Sequence, residues 1–549
     1  MNRLRSGSTL ANTKVRCSDL SDNAIHAIEA PQINQPRARS SKLRWFVGHL
    51  NCSFLLVRIL LKFGEEAFGI ISLLGSGTGL GAIVQETVRA GTVPVLGNAF
   101  HDRDVERFKH TLSSAMLVSL LAAIVTVLIY AVLLLCIPLF QIPEELHAAA
   151  GCFVILMGLS SCFTVAASPL VNMLAVSERM TAFNVTNLLM RLSDLLAGAI
   201  TLYAFSSLTA ADSIVTYGIL FTVLGSAVLF ATSVYSIRTE PRIVMRLSLV
   251  RLQEAKLFTR SAGWNAGVNF SMSLYSKADT VIYNLFFGLF GSMVFGIANQ
   301  LTFYVRRAAS GIVNGIDAVS ARVSNSGSAN DMLKLLERST FHQALVILPL
   351  SALQIIFTKE IVGFWVADRL ESPAQSAPVI CALIQLLTIG VCARSLSDSW
   401  LKIMSGNDKV RLYAPWIFLG GICNPIIAIV GIRFSSEAAS FYAAPVVFSA
   451  LLVIVHLGII PWVVRSTYSV EVKAIYLPFV RPLLATIAAS VVAVCTKAVL
   501  EDGRLLLIAP LLFCATYSLL CAVYVLPAED RSRLLGVLGL KPLARKLIR

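Results

Sequence analysis

The chain has 549 residues, of which 56% are hydrophobic and only 14% are charged. Its mean hydropathy of +0.74 lies well outside the range of ordinary soluble domains and predicts an integral membrane protein. The alternation of apolar and polar residues that marks barrel strands is not seen, so we expect an all-α membrane protein. The net charge of +15 comes from Lys and Arg clusters between apolar segments, which indicates a topology signal and no nucleic-acid partner.

Apolar segments long enough to cross about 30 Å of hydrocarbon recur from Trp45 to Pro527. Hydropathy predicts about 14 transmembrane helices. If the amino terminus is cytoplasmic, the segments predicted inside hold about 32 of the Lys and Arg residues and those outside roughly 6, so both termini are expected inside. The predicted spans are 45–63, 66–90, 112–136, 148–170, 183–206, 213–236, 262–287, 291–316, 341–365, 378–403, 412–432, 438–463, 475–498 and 504–526.

A short repeat predicts an internal duplication. The residues FG at 63–64 and FGI at 68–70 join the first two spans, while FG at 287–288 and FGI at 295–297 join the seventh and eighth. An even number of spans separates the copies, so the halves should form two six-helix lobes related by a parallel pseudo-two-fold repeat. The predicted divisions are a disordered basic cytoplasmic tail at 1–44, an N-terminal lobe at 45–236, a cytoplasmic amphipathic linker at 237–261, a C-terminal lobe at 262–463, two additional transmembrane helices at 464–526 and a basic cytoplasmic tail at 527–549.

Polar residues mark one face of the fifth span. Asn187, Arg191 and Asp194 recur at spacings of three and four, which places them together on a helix surface. Two charges near the middle of a span do not face lipid at low cost. We therefore expect this face to line a cavity, with a structural ion pair between helices as the alternative.

The seventh span carries a second polar stripe. Asn269 and Lys277 belong to a series at strict i+4 spacing, whereas Asp279 falls about 200° from Lys277 on the helical wheel. The two charges of this span are thus not partners on one face. Asp279 either contacts substrate or pairs with a neighbouring helix.

Further charges lie in the first, eighth and tenth spans. They are Arg58, Arg306, Arg307, Arg394 and Asp398. Exposure of all nine charges to lipid would cost of the order of 20 to 30 kcal/mol, more than the roughly 5 to 15 kcal/mol that stabilises a domain. Most should therefore line one polar cavity between the lobes, and the excess of cations there favours an anionic substrate.

Each of these charges also has a simpler interpretation. Arg58 can extend to the outer membrane interface, and Arg394 with Asp398 can form an i, i+4 pair at the inner end of the tenth span. Arg306 and Arg307 are adjacent, so both cannot point into one cavity, and one of them would contact the interface or a lipid headgroup. No metal-ligand spacing and no nucleotide-binding loop occurs, so we expect no cofactor, no metal and no catalytic residue.

Three stretches carry a family resemblance. LLVRILLKFGEEAFGI at 55–70, YSKADTVIYNLFFGLFGSMVFGIANQL at 275–301 and LKIMSGNDKVRLYAP at 401–415 resemble the O-antigen and exopolysaccharide flippases. These belong to the multidrug/oligosaccharidyl-lipid/polysaccharide exporter superfamily, with the MATE transporters. The resemblance runs over 44–527 and is one of pattern.

The resemblance implies a flippase that moves undecaprenyl-diphosphate-linked oligosaccharides from the cytoplasmic to the outer leaflet. It also implies alternating access through a cationic cavity in a bacterial inner membrane, with Arg191, Lys277 and Arg307 as cavity cations and Asp279 matching a family Asp. The lipid bilayer, a coupling ion and polysaccharide polymerase and export machinery are the expected partners. An ion-coupled small-molecule exporter of MATE type and a membrane-embedded polysaccharide-modifying enzyme are the alternatives.

Overall fold

The computed structural model describes residues 54–101, 104–205, 207–313, 315–325, 329–499, 508–527 and 530–531. All regular structure in these ranges is helical, and none of their residues forms a strand. Eleven helices within them are long and apolar enough to cross a membrane, so the chain is an all-α, multi-pass membrane protein. The predicted tail at 1–44 and most of the tail at 527–549 lie outside the described residues.

The helices are labelled α1 to α16 in chain order. Two of them contain an internal π turn, and α7 is extended by another. They are α1 (54–60), α2 (Glu65–His101), α3 (Val105–Leu135), α4 (Glu144–Val176), α5 (Met180–Ala204), α6 (Ala210–Thr239), α7 (Leu252–Ser273), α8 (Asp279–Val313), α9 (Ile316–Asn325), α10 (Ala329–Ile356), α11 (Thr358–Trp365), α12 (Pro373–Gly406), α13 (Val410–Phe434), α14 (Glu437–Tyr468), α15 (Val472–Val499) and α16 (Ile508–Val525).

Every predicted span overlaps a helix, but the helices end elsewhere. The seventh span continues from α7 through the π turn at Leu274–Ala278 into the first residues of α8. Gly288 then reverses the chain, and the rest of α8 is the eighth span. Because α7 begins at Leu252, the carboxyl-terminal part of the segment predicted as a linker, 237–261, is helical and continuous with the seventh span.

Helix packing divides most of the described helices into two groups. Among the amino-terminal helices, α2, α3, α4 and α6 pack together around α4, and α5 packs on α6. Among the later helices, α12 contacts α8, α10 and α14, while α13 contacts α7 and α14. Helix α2 packs against both α7 and α8 and so joins the two groups, and the additional pair α15 and α16 attaches through α10.

The repeated glycines make the contact between the two groups. Gly64 and Gly288 have φ angles of 104° and 66°, which L side chains rarely adopt, and each turns the chain between two spans. Gly69 of α2 approaches α8 so closely that an added Cβ would lie 2.8 Å from the carbonyl oxygen of Leu289. Gly296 of α8 approaches Ser72 of α2 in the same way. The second glycine of each copy thus allows α2 and α8 to cross.

We call the two ends of the bundle the Gly64 end, which also carries Gly288, and the Glu240 end, where α6 is followed by the linker. At the Gly64 end one apolar cluster contains residues of both groups, including Phe63, Ile70, Met293 and Trp365. At the Glu240 end the apolar residues form separate clusters instead. One cluster is centred on Leu96, Phe108 and Met173, and another is centred on Trp400, Ile403 and Met404.

Candidate functional site

Arg191 and Asp194 form an ion pair on α5. The Nη1 atom of Arg191 lies 3.2 Å from Oδ2 of Asp194, one helical turn away. The Arg191 side chain is 43% exposed and that of Asp194 only 13%. Arg191 is the twelfth of the 25 residues of α5, so its accessible surface lies at mid-helix. A guanidinium has five N–H donors, and this pair occupies one of them, which leaves others for a ligand.

Arg307, a cation of the second half, lies near both Arg191 and Lys277. The charges of Arg307 on α8 and Arg191 lie within electrostatic range of each other, and so do those of Lys277 and Arg307. The side chains of Lys277 and Arg307 are half-buried. We call Arg191, Lys277 and Arg307 the central cations. Asp194 is paired with one of them, so the group carries an excess of positive charge between helices of the two halves.

A π turn positions Lys277. The turn at Leu274–Ala278 interrupts the strict i+4 series on which the stripe of the seventh span was based. Lys277 therefore does not follow Asn269 at α-helical angles, although Asn269 is half-buried two turns earlier. Such π turns are frequent at functional sites, and no feature of the apolar pattern revealed this one.

Asp279 is paired with a neighbouring helix. Asn424 on α13 donates from Nδ2 to Oδ1 of Asp279 over 2.9 Å, and both residues are fully buried. Within the described residues, Oδ2 of Asp279 and Oδ1 of Asn424 have no hydrogen-bond partner. Asp279 and Lys277, both in the described part of the chain, do not form an ion pair with each other. Sequence reasoning missed Asn424, whose signal was an amide in the middle of the apolar span 412–432.

Arg306 faces a different environment from Arg307. Its charge lies within electrostatic range of Asp398 on α12, which is also within range of Arg394. Both members of the predicted i, i+4 pair belong to the described residues, and no oxygen of Asp398 lies within 4.0 Å of Arg394. The two adjacent arginines lie within electrostatic range of each other, but their other charged partners differ: Asp398 for Arg306 and Arg191 for Arg307.

Asn187 and Arg58 form their hydrogen bonds with residues other than the central cations. The Nδ2 atom of Asn187 donates to the carbonyl oxygen of Phe183 on its own helix over 3.1 Å. Arg58 lies at the Gly64 end, where Nη2 is 2.7 Å from Oδ2 of Asp368 and Nη1 donates to Phe364 O over 3.1 Å. Arg58 therefore links α1 to the segment after α11.

Four further hydrogen bonds join the two halves at the Gly64 end. The amide of Glu371 donates to Oε1 of Glu65 over 2.7 Å, and Glu65 N donates in return to Oε1 of Glu371 over 3.4 Å. Gln141 donates its backbone N–H to Oδ1 of Asn284 over 3.0 Å and its side chain to Leu285 O over 2.8 Å. Together with the Arg58 pair, we call these the Gly64-end contacts. They close this end across the two halves.

The described residues contain no group of three or more His, Cys, Asp or Glu side chains arranged to hold a metal. No family model matches the chain. The search of curated proteins found no match either.

Solved transporter structures match the fold. The lipid II flippase MurJ in an inward closed conformation has a TM-score of 0.68 at 13% identity, over 87% of this chain and 97% of that one. An inward-facing multidrug resistance MATE family transporter of the MOP superfamily gives 0.63 at 12%, over 77% and 98%. The MATE multidrug transporter DinF-BH gives 0.57 at 14%, over 80% and 98%. At these identities the likeness is one of fold, and the chain has the fold of the MOP-superfamily transporters.

Proposed function

We propose that the chain is a flippase that carries the diphosphate-linked oligosaccharide headgroup of a polyprenyl lipid across a bacterial inner membrane. The observation that carries this proposal is the set of central cations, contributed by α5, the π turn after α7, and α8. One carboxylate, Asp194, pairs with this set. The excess charge suits an anionic headgroup and opposes a cationic one.

Electrostatics explains why the cations are needed. Moving an isolated ion into a low-dielectric medium costs tens of kcal/mol in the Born limit, so a diphosphate does not cross hydrocarbon unaided. Arg191 and Arg307 present planar donor sets that match phosphate oxygens, and Lys277 adds a point charge. These groups replace the lost hydration of the headgroup while its polyprenyl tail stays in lipid.

The proposed cycle begins from the described state. The Gly64-end contacts close one side, and the separate apolar clusters at the Glu240 end leave the halves free to part there. By the positive-inside rule we assign the Glu240 end to the cytoplasm. The headgroup then enters from the cytoplasmic leaflet, reaches the central cations, and leaves after the Gly64-end contacts break. The sugar repeat unit would then pass to polysaccharide polymerase and export machinery.

A cation-coupled exporter of small molecules is the second candidate, and Asp279 is the observation that favours it. Asp279 is fully buried, and one of its carboxylate oxygens has no hydrogen-bond partner among the described residues. Burial of such a carboxylate costs free energy unless it is protonated or bound to a cation. The same residue fits the flippase if its carboxylate binds a coupling ion. The nature of the cargo therefore decides between the two functions.

Leaflet sidedness tests the proposal. In cells that lack the protein, lipid-linked oligosaccharide should accumulate where an impermeant sugar-modifying reagent added outside does not reach it. Reintroduced wild-type protein should relieve the accumulation, and reintroduced Arg191→Ala should not. The control variant Arg433→Ala, which alters an exposed arginine at the end of α13, should relieve it as wild type does. Unchanged lipid-linked oligosaccharide and unchanged surface polysaccharide in the deletion would overturn the flippase and leave the exporter.

A further inference from the structure

A second charged cluster lies inside the second half, where Arg306 adjoins the central cation Arg307. It is formed by Arg306 on α8, Arg394, Ser397 and Asp398 on α12, and His456 in the π turn Ile454–Ile459 of α14. His456 is completely buried. Its Nδ1 atom lies 2.6 Å from Oγ of Ser397, which lies 2.9 Å from the carbonyl oxygen of Arg394.

Hydrogen-bond chemistry assigns the His456 tautomer. The carbonyl oxygen of Arg394 can only accept, so the single hydroxyl proton of Ser397 goes to it. Ser397 Oγ then accepts from the Nδ1–H group of His456. The Nε2 atom of the neutral ring consequently carries a lone pair, and protonation would turn it into a donor. This nitrogen is buried and has no hydrogen-bond partner among the described residues.

The surroundings of His456 are cationic. The charges of Arg394 and Arg306 lie within electrostatic range of the ring. Each guanidinium has a buried Nε atom without a partner in the described part of the chain, and neither lies within 4.0 Å of a carboxylate there. Asp398 is the carboxylate within electrostatic range of both, and the buried Tyr275 hydroxyl lies within range of Arg394. The cluster thus has an excess of positive charge before His456 is protonated.

We propose that Arg306, Arg394 and His456 form a binding site for a small inorganic anion of the chloride class, distinct from the central cations. The negative charge of a monovalent anion offsets the excess positive charge. The anion also accepts hydrogen bonds from the guanidinium N–H groups that lack protein partners. It also makes protonated His456 favourable, so anion binding takes up a proton at Nε2. At high pH the anion would be repelled by the charge of Asp398 and by the lone pair of the neutral His456 ring, so its binding weakens.

The experiment measures anion-dependent stabilisation of the purified full-length chain in detergent. Thermal unfolding is followed in sodium bromide against sodium gluconate at constant ionic strength. Bromide should stabilise wild type, and the effect should be lost in Arg306→Gln and Arg394→Gln. Arg307→Gln is the matched control, because it removes the same charge from the adjacent residue, whose strongest charged neighbour is Arg191 on α5. Its bromide effect should persist.

The pH dependence tests the role of His456. Linkage to one proton weakens bromide binding by up to about tenfold per pH unit as pH rises. His456→Gln should keep bromide binding but remove this dependence. If wild type shows no bromide effect, or if Arg307→Gln loses it as fully as Arg306→Gln does, the separate site is refuted.

A second measurement covers variants that do not fold. Anomalous diffraction from wild-type crystals grown in bromide should place a bromide between α8, α12 and α14. Bromide found only beside Arg191 and Lys277 would contradict the proposal and indicate a single anion site. This outcome is independent of the flippase assay, since it concerns a different cluster of residues.

Discussion

Arg306 and Arg307 are neighbours in the chain and lie within electrostatic range of each other, but their other charged partners differ. Arg307 lies within range of Arg191 across the two halves, while Arg306 lies within range of Asp398 inside the second half. Successive helical side chains point about 100° apart, so the sequence could predict this division. It could not identify the partners, because those are set by the packing of distant helices.

Buried polar partners were the part of the site that the sequence concealed. A single Asn in an apolar span, such as Asn424, has the same pattern whether it faces lipid, a cavity or Asp279. Ser397 and His456 also lie in apolar segments, and only the packing of α12 against α14 brings them together. Periodicity assigns a residue to a face, but the neighbouring helix decides what that face contacts.

Gly69 offers a test at the residue scale. In Gly69→Ala the new Cβ would lie 2.8 Å from the backbone oxygen of Leu289, so α2 and α8 must separate. Overpacking of this kind costs about 1–3 kcal/mol, and thermal unfolding in detergent should show the loss. Gly97→Ala on the same helix is the matched control, because nothing lies within 4 Å of its added Cβ. Equal stability of the two variants would show that this crossing is not tight.

Hydropathy predicted the helices of this chain better than their ends. Apolar segments must be helical in hydrocarbon, which is why every predicted span overlaps a helix. Outside hydrocarbon the constraint disappears, and polar sequence can be helix or loop. The polar helix α9 and the start of α7 at Leu252 were missed for this reason. The π turn at Leu274–Ala278 was missed because it changes the register of the helix without changing its composition.

The segment between α6 and α7 is anchored on the end of α2 and on α3. Arg242 lies over the ring of Phe100, with 4.1 Å between its Cζ atom and the ring centroid, and near Phe108 of α3. It also donates two hydrogen bonds to Glu240, over 2.6 and 3.1 Å. The Oγ atom of Ser114 on α3 accepts a hydrogen bond from the backbone N–H of Arg251 over 3.0 Å, so both ends of the segment are attached.

This anchor predicts a pH dependence at the element scale. The hydrogen bonds from Arg242 lower the pKa of the Glu240 carboxyl below its usual range. The link is therefore present above the ordinary Glu pKa of about 4.3 and is lost as pH falls through the lowered value. Hydrogen exchange of residues 240–251 should accelerate at that acidic pH, and Glu240→Gln should show fast exchange already at pH 7. Slow exchange in that variant at pH 7 would show that Glu240 does not hold the segment.

The repeated glycines have corresponding roles at the scale of the whole molecule. The glycines of the two FG pairs, Gly64 and Gly288, adopt positive φ angles at turns. The glycines of the two FGI motifs, Gly69 and Gly296, lie where α2 and α8 approach each other closely. The sequence could predict this because a glycine needed for backbone reasons has no substitute that carries a side chain. Which end is closed could not be predicted, since both ends of every helix carry residues able to form contacts.

The central claim is that a diphosphate lipid binds the central cations and thereby opens the closed end. Spin labels at Leu139 and Phe434, both exposed at the Gly64 end, report the distance between the two halves by double electron–electron resonance. Arg58→Asp, which breaks the pair with Asp368, should populate a longer distance without ligand. Addition of a polyprenyl diphosphate should also populate the longer distance in the wild-type background. In Lys277→Gln the lipid should leave the distance distribution unchanged. An unchanged distance distribution in wild type with saturating lipid would contradict the account, as would an equal response in Lys277→Gln.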